Sequence, residues 1–305
     1  MRWLDRVHGD SEIEDEDILA LVSCPSFERL KGIRQAGPSV FAHPFKTVTR
    51  YEHSLGVYLL LRRLGADRRE QVAGLLHDVS HTAFSHAVDF VYSSEEQDYH
   101  ERIKPELLAR PDLSLAIRRL GFDPSEFVDD SIYPLLERPL PWLCADRIDY
   151  FLRDGLACSV VAESFPAKLL QHLVVFNQTI VINDRRVAEK TVELFSIMNR
   201  DWWASPTESY IYNEFADALL EALRLKIVSR DDFLGDDDRL MSLLLTSKSP
   251  VILEKLARVQ TLDVDLMASY VPRISPKTRW LDPPILENGK LRRYSETVDQ
   301  GSDAD

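Results

Sequence analysis

The sequence predicts a mainly α-helical protein with one or two small β-hairpins. Apolar residues recur at helical spacing through most of its 305 residues, and 45% hydrophobic residues are enough to bury a sizeable core. Only 11 glycines and 16 prolines interrupt the pattern, which excludes collagen-like and broadly disordered chains. At roughly 150 residues per domain the length suits two units. We expect a helical core with the functional site in residues 1–172 and an accessory lobe in residues 173–305.

The periodicity assigns helices to both parts of the chain. In the first part it predicts Val48–Leu64, Arg68–Leu76, Glu101–Leu108, Ser114–Arg119, Ser131–Leu136 and Leu140–Leu152. In the second part it predicts Val187–Trp203, Ser209–Ile227, Asp236–Leu245 and Val251–Val259. A β-branched run at 174–182 predicts one hairpin, and the Asn288-Gly289 turn signal predicts another. The acidic end, Ser295 to Asp305, is expected to be disordered.

Charge and cysteine content narrow the class of protein. With 37 Lys and Arg against 50 Asp and Glu, the net charge of −13 argues against nucleic acid as a partner but allows a local phosphate pocket. The three cysteines lie far apart, which is typical of a reducing compartment. No apolar stretch approaches the roughly 18 residues that span a bilayer. We therefore expect a cytoplasmic protein without membrane contact.

Histidine and aspartate are concentrated between residues 53 and 100, where five of the eight histidines lie. Imidazole and carboxylate are ligands of divalent metals, and an adjacent His77-Asp78 at the end of an apolar helix can place both on one ion. His53 precedes this pair and Asp146 follows it, so the order is His, His-Asp, Asp. Walker, GxGxxG, GxSxG and HExxH motifs are absent from the sequence, so several common enzyme classes lack support.

This order resembles the HD superfamily of metal-dependent phosphohydrolases, in particular its deoxynucleoside triphosphate triphosphohydrolase branch. The likeness extends over most of the chain, from Trp3–Gly9 and Phe27–Gln35 to Ala145–Asp154. It implies an HD-domain helical core with a helical C-terminal lobe, and a homo-oligomer. The implied ligands of the divalent metal are His53, His77, Asp78 and Asp146. Such a set suits Mn, Fe, Mg, Zn, Ni or Co, and a centre of one or of two ions remains open.

The resemblance also implies catalytic roles for His81, Asp89 and His100, and a substrate-binding role for His86. Water attacks a phosphoester, and an imidazole close by can give or take the proton. His81 paired with Asp89 or Glu101 is expected to remain charged and to act as an acid toward the leaving oxygen.

Substrate binding is expected around the same residues. Arg50 lies one helical turn before the first histidine, and its guanidinium suits phosphate. Asp146, Tyr150 and Asp154 share one helical stripe. By the resemblance, Tyr150 packs under the sugar of a nucleotide, while Asp154 and Gln35 hold its 3′ hydroxyl.

The triphosphate-binding segment of many relatives has no match. Where they carry a Tyr-x-His-Lys cluster, this chain has Asn199–Pro206 with Arg200 as its one cation. Four cations elsewhere are candidates to replace it: Arg147, Arg153, Lys168 and Lys190. Otherwise the substrate carries fewer phosphates. The expected activity is hydrolysis of a deoxynucleoside triphosphate to deoxynucleoside and triphosphate. Two alternatives are a phosphatase for a nucleoside monophosphate or another small phosphate ester, and a nucleotide-sensing regulatory protein with little activity.

Overall fold

A computed structural model describes residues 1–92, 97–262, 264–287 and 289–298 of the chain. The mainly α fold predicted from the sequence is confirmed. The helices of the first part are α1 (Glu16–Val22), α2 (Pro25–Glu28), α3 (Arg50–Arg63), α4 (Arg68–Leu76), α5 (Ala87–Val91), α6 (Tyr99–Leu108), α7 (Pro111–Arg119), α8 (Ala145–Ala157) and α9 (Phe165–His172). Those of the second part are α10 (Arg185–Met198), α11 (Pro206–Arg224), α12 (Arg230–Phe233), α13 (Asp237–Thr246), α14 (Pro250–Thr261), α15 (Val264–Ser269) and α16 (Tyr294–Val298).

The β-structure of the described residues fits the predicted hairpins only loosely. The strands are β1 (Arg2–Asp5), β2 (Gly9–Glu12), β3 (Leu173–Phe176), β4 (Thr179–Ile182), β5 (Pro284–Glu287) and β6 (Lys290–Arg293). The two predicted hairpins, β3-β4 and β5-β6, join into one sheet because β4 also pairs in parallel with β5. The ribbon β1-β2 was not predicted, since its second strand is polar. The disorder predicted from Ser295 is wrong for its first residues, because Tyr294–Val298 forms the short helix α16. Asn288 and the tail from residue 299 lie outside the described residues.

Prolines explain two of the failures among the helix predictions. The predicted helix Ser131–Leu136 is wrong, because only a 3₁₀ turn at Asp130–Ile132 forms before Pro134. The helix predicted from Leu140 begins at Ala145, beyond Pro141, and continues to Ala157. Further along, the helix predicted to reach Trp203 changes after Met198 into a π-helical turn, Asn199–Trp203.

Local sequence signals fix the three elements that carry the site. Thr49 and Glu52 form a capping box at the start of α3, which places Arg50 and His53 in its first turn. Asp67 caps α4, which ends directly before His77. α8 packs closely on α3 at Gly56, where an added Cβ would lie 2.0 Å from a carboxylate oxygen of Asp149.

The apolar side chains form two cores. One surrounds α3, α4, α8 and the four-stranded sheet. The other packs α5 and α6 against α11, α13 and α14. Residues on both sides of position 172 contribute to each core, and the division into 1–172 and 173–305 stays a prediction. Within the described part of the chain, none of the helices has the length and apolarity needed to traverse a bilayer.

Candidate metal centre and substrate cavity

The four predicted metal ligands, which we call the HD group (His53, His77, Asp78 and Asp146), converge between α3, the turn after α4 and the first turn of α8. Nε2 of His53 lies 2.9 Å from Oδ1 of Asp146, and Nε2 of His77 lies 3.4 Å from the same oxygen. Both nitrogens are 3.6 Å from an oxygen of Asp78. Residues separated by more than 90 positions therefore present their ligand atoms to one point.

The hydrogen bonds of the two imidazoles test whether this group suits a cation. Nδ1 of His53 donates to Asp149 at 2.8 Å, and Nδ1 of His77 donates to the carbonyl of Gly74 at 2.8 Å. Both partners only accept, so in the neutral rings each Nε2 carries a lone pair. These two nitrogens face each other at 3.1 Å. Facing lone pairs repel unless a positive charge lies between them, and a divalent ion fits this donor set.

The electrostatic surroundings of the HD group also stabilise a positive charge at this point. Burial opposes protonation of His53, but hydrogen bonds to Asp146 and Asp149 raise the pKa of His53 to about 10. Burial also opposes ionisation of Asp78, yet Arg50 holds the pKa of that carboxyl well below its usual value. The group thus combines ionised carboxylates with imidazoles that attract a cation.

Asp78 connects this group to the rest of the cavity. Nη1 of Arg50 donates to Oδ2 of Asp78 at 2.7 Å, and Nε2 of His81 lies 3.2 Å from its Oδ1. Nε of Arg50 also donates to Ser85 at 3.0 Å. Arg50 is therefore held at the edge of the HD group, as its position in the sequence predicts.

His81, His86 and His100, with Asp89, form a second cluster that we call the histidine group. The rings of His81 and His100 stack with centroids 4.1 Å apart. Oδ2 of Asp89 accepts from Nδ1 of His86 at 2.8 Å and lies 3.4 Å from Nδ1 of His100. The ligand nitrogens of the three histidines lie within 4.8 Å of one another, so this group can also hold an ion.

The expected pairing of His81 with Asp89 or Glu101 is wrong, because its carboxylate neighbour is Asp78. Left-handed backbone at Phe84 and Ser85 turns the chain before α5, and Asp89 then faces the other two histidines. Burial and the positive charge of Arg50 lower the pKa of His81 well below its ordinary value. The surroundings of His81 therefore favour the neutral ring, and added negative charge would favour the protonated one.

The predicted sugar-binding residues also come together. Nε2 of Gln35 donates to Asp154 at 3.1 Å, and Nε1 of Trp203 donates to its other oxygen at 2.9 Å. The Trp203 ring meets Tyr150 edge-on at 5.2 Å between centroids. Trp203 was not predicted; it is aimed here by the π-helical turn, a feature often found at functional sites.

A cavity of about 550 Å³ joins these parts, a volume typical of small-molecule sites. Ten of the twelve predicted site residues line it: Gln35, Arg50, His77, Asp78, His81, His86, His100, Asp146, Tyr150 and Asp154. The other two, His53 and Asp89, lie behind the wall and are almost fully buried.

The structure shows which of the four cations proposed to replace the Tyr-x-His-Lys cluster reach the cavity. Arg147 lines the cavity. Arg153 does not, because it is fully buried and pairs with Asp149 at 2.7 Å and Asp5 at 2.8 Å. Lys168 and Lys190 are exposed and lie outside the lining. Other lining cations were missed by the sequence analysis: Lys46, Lys104, Lys277 and Arg279.

Two buried carboxylates that support the site were also missed. Asp149 orients His53, and its position three residues after Asp146 on α8 was the available signal. Asp237 accepts from the backbone N–H groups of Arg34 and Phe84, at 2.8 and 2.6 Å. It thereby ties the Gln35 loop to the loop that carries His81 and His86.

Ligands that converge from two helices and the turn after a third, in the order His, His-Asp, Asp, define a helical metal-site protein of the HD type. A family model described as HD domain matches residues 50–141, which include His53, His77 and Asp78. The protein is 36% identical over 300 residues to the uncharacterized protein YdhJ of Bacillus subtilis, with 97% of this chain and 91% of that protein covered.

A second relative carries a functional name. The chain is 30% identical over 295 residues to the metal-dependent phosphohydrolase cns2 of Cordyceps militaris, with 94% and 85% of the two proteins covered. The chain belongs to the HD-domain family of metal-dependent phosphohydrolases, and the resemblance seen in its sequence is confirmed. The mouse deoxynucleoside triphosphate triphosphohydrolase SAMHD1 is more distant, at 29% identity over 201 residues, 49% of this chain and 30% of that protein.

Proposed function

We propose that this phosphohydrolase cleaves a phosphoester of a deoxynucleotide, with a deoxynucleoside triphosphate as the preferred substrate and triphosphate as the released group. The observation that carries the proposal is the position of Gln35, Tyr150 and Asp154 in the same cavity as the HD group. The names of the relatives agree with it, since one is a phosphohydrolase and another a deoxynucleoside triphosphate triphosphohydrolase.

In this proposal His53, His77, Asp78 and Asp146 hold one divalent ion. When bound, such an ion supplies Lewis acidity and makes a water molecule nucleophilic at neutral pH. Asp149 and the Gly74 carbonyl keep the two rings in the orientation that exposes both Nε2 atoms.

Arg50 binds the phosphate, and the histidine group transfers the proton. The guanidinium of Arg50, held by Asp78 and Ser85, lines the cavity where a non-bridging phosphate oxygen can accept from it. The phosphate adds negative charge beside His81, where burial and the charge of Arg50 outweigh that of Asp78 in the resting site, and so favours a protonated ring. His81 can then donate its proton to the leaving oxygen, while Asp89 orients His100 and His86.

The sugar is selected by Asp154 and Tyr150. The Asp154 carboxylate accepts a hydrogen bond from a 3′ hydroxyl, which takes the place of one of its present donors, Gln35 or Trp203. The ring of Tyr150, packed against C2′, leaves little room for a second hydroxyl. Deoxynucleotides are therefore preferred to ribonucleotides.

A phosphatase for a nucleoside monophosphate is the second candidate. Four of the six Lys and Arg residues that line the cavity are paired with carboxylates, so few are free for a long phosphate chain. Product analysis separates the two activities, because the first releases triphosphate and the second releases orthophosphate.

Kinetics on a dNTP, a dNMP, an NTP and a 3′-deoxy analogue, with Mn²⁺, Mg²⁺, Fe²⁺ or Co²⁺, test the proposal. We expect hydrolysis of the dNTP, and a loss of 3′-hydroxyl discrimination by roughly 5–150-fold in Asp154→Ala, the usual effect of removing a buried hydrogen bond. Asp10→Ala on the exposed ribbon is the matched control. Equal rates on all four compounds, unchanged in Asp154→Ala, would show that no sugar pocket exists.

A further inference from the structure

One wall of the cavity is a segment without helix or strand, residues 271–283, which we call the strap. Its first part is anchored by the buried Asn213 of α11. Oδ1 of Asn213 accepts from the backbone N–H groups of Arg273 and Ile274, each at 3.1 Å, and Nδ2 donates to the Ile274 carbonyl at 2.8 Å. Gln97 donates to the next carbonyl, that of Ser275, at 3.0 Å.

The second part of the strap is anchored on the sugar-binding side. The backbone N–H of Arg279 donates to Asn199 at 2.7 Å, and that of Asp282 donates to the Pro141 carbonyl at 3.1 Å. Asn199 opens the π-helical turn that carries Trp203. Between the anchors, Lys277 and Arg279 line the cavity. Their backbone is thus held in place before any substrate arrives.

These two cations differ from the other four in the cavity lining. The four ion pairs of the lining are Arg50 with Asp78 at 2.7 Å, Lys104 with Asp130 at 2.5 Å, Arg147 with Glu137 at 3.4 Å, and Lys46 with Glu208. Among the residues that the structure describes, neither Lys277 nor Arg279 has a carboxylate within 4.0 Å. Arg279 donates from Nη1 to the carbonyl of Lys277 at 3.1 Å. Within the described part of the chain, these two positive charges therefore have no carboxylate partner.

Their neighbourhood fits a ligand that extends from the sugar pocket. Arg147, Tyr150 and Arg279 line the same cavity. Burial raises the pKa of Tyr150, and the positive charges of Arg147 and Arg279 oppose that rise. A phosphate held at Arg50 already has its cation. Any further phosphate needs additional cations, and Lys277 and Arg279 of the strap are such cations.

We infer that Lys277 and Arg279 bind the phosphates of the substrate beyond the one that reacts, so that the strap selects compounds with a di- or triphosphate chain. This inference rests on the proposed function and deepens it. It explains how the chain recognises a triphosphate although the cluster found in many relatives is missing. It also assigns a role in specificity to residues far from the region matched by the HD model.

Calorimetric titration of the metal-loaded protein with inorganic tripolyphosphate, in excess Mg²⁺, tests the inference without any hydrolysis. We expect Lys277→Ala/Arg279→Ala to weaken tripolyphosphate binding about tenfold, since each exposed ion pair contributes modestly, and to weaken orthophosphate binding much less. The control Lys168→Ala/Arg186→Ala removes the same charge outside the cavity. The strap anchors are backbone groups, so the fold should persist; Lys277→Gln/Arg279→Gln provides a second, less drastic variant.

The two hypotheses fail in different ways. Equal tripolyphosphate affinity in the wild type and in both strap variants would overturn the role of the strap, even if the enzyme hydrolyses dNTPs. A tenfold loss confined to the strap variants would support that role. If the wild type then hydrolyses no nucleotide at all, the proposed function fails while the anion site stands.

Discussion

The two clusters of histidines in the cavity contain the same side chain in different surroundings. In the HD group, His53 and His77 face carboxylates on several sides, and the pKa of His53 rises to about 10 despite burial. In the histidine group, Asp89 lies against two of the three rings, those of His86 and His100, and Arg50 is nearby. There burial lowers the pKa of His86 to about 4, although Asp89 opposes the change.

This difference indicates a division of labour. A cluster that stabilises positive charge can exchange its protons for a metal ion. Imidazoles whose pKa is lowered, such as those of His81 and His86, can accept or pass on a proton when the charge beside them changes. Asp78 contacts both clusters and couples them. Variants of the two groups should therefore affect different steps.

The largest effect is expected for Asp78→Ala. The variant loses a carboxylate of the HD group and the partner of Arg50, so both metal retention and phosphate positioning fail. We expect hydrolysis to fall by at least about 10³-fold, more than the loss of one electrostatic contact alone. Phosphate release and metal content of the purified protein measure this. Normal turnover with full metal content would show that the assignment of His77-Asp78 is wrong.

A smaller effect is expected for His81→Ala, which changes the histidine group alone. Removal of a positioned proton donor typically lowers kcat by about 10²-fold. The metal content should equal that of the wild type, because His81 is not in the HD group. Single-turnover kinetics with metal analysis provide the test. Near-normal kcat would assign His81 a structural role and direct attention to His100.

Asp149→Asn should change metal binding without removing a ligand. The carboxylate fixes the ring of His53 through Nδ1, and losses of such partners usually cost about 10–100-fold in metal affinity. Competition with a chelating dye measures the affinity. Asp10→Asn is the control, and equal affinity in the two variants would show that ring orientation does not depend on Asp149.

The smallest effect is the pH dependence of unfolding in the metal-free protein. His53 binds a proton in the folded state between its ordinary pKa of 6.5 and about 10, so stability should decrease as the pH rises through this window. His86 has the opposite sign, and stability should decrease as the pH falls from 6.5 to about 4. One proton gives a slope of at most about 1.4 kcal/mol per pH unit.

Denaturant unfolding over this pH range distinguishes the two rings. His53→Gln should flatten the alkaline slope and leave the acid slope, whereas His86→Gln should do the reverse. If neither substitution changes either slope, the contrast between the two groups is incorrect.

Much of this site is encoded locally. Thr49 and Asp67 are helix-capping residues that can be recognised in the sequence. They fix where two helices begin and therefore where His53 and His77 lie. The stripe formed by Asp146, Tyr150 and Asp154 follows from helical spacing alone. Geometry of this kind needs no knowledge of distant contacts.

The supporting residues depend on long-range packing and were missed for that reason. Asp149 meets a histidine 96 positions away. Arg279 reaches the cavity because its backbone binds Asn199, 80 positions earlier, and no local pattern predicts such an anchor. Trp203 needed a π-helical turn where the periodicity predicts a regular helix. The β1-β2 ribbon was also not predicted, because its strands pair without the apolar alternation that indicates a strand in a sequence.

The division between the two groups can be tested most directly by titrating Mn²⁺ into chelator-treated wild type, Asp146→Asn and His86→Gln. Asp146 lies against both histidines of the HD group, whereas His86 belongs to the histidine group. We predict that a high-affinity ion binds to the wild type and to His86→Gln with similar affinity, and that Asp146→Asn loses it. Retention of that ion in Asp146→Asn together with its loss in His86→Gln would contradict the assignment of the metal to the HD group.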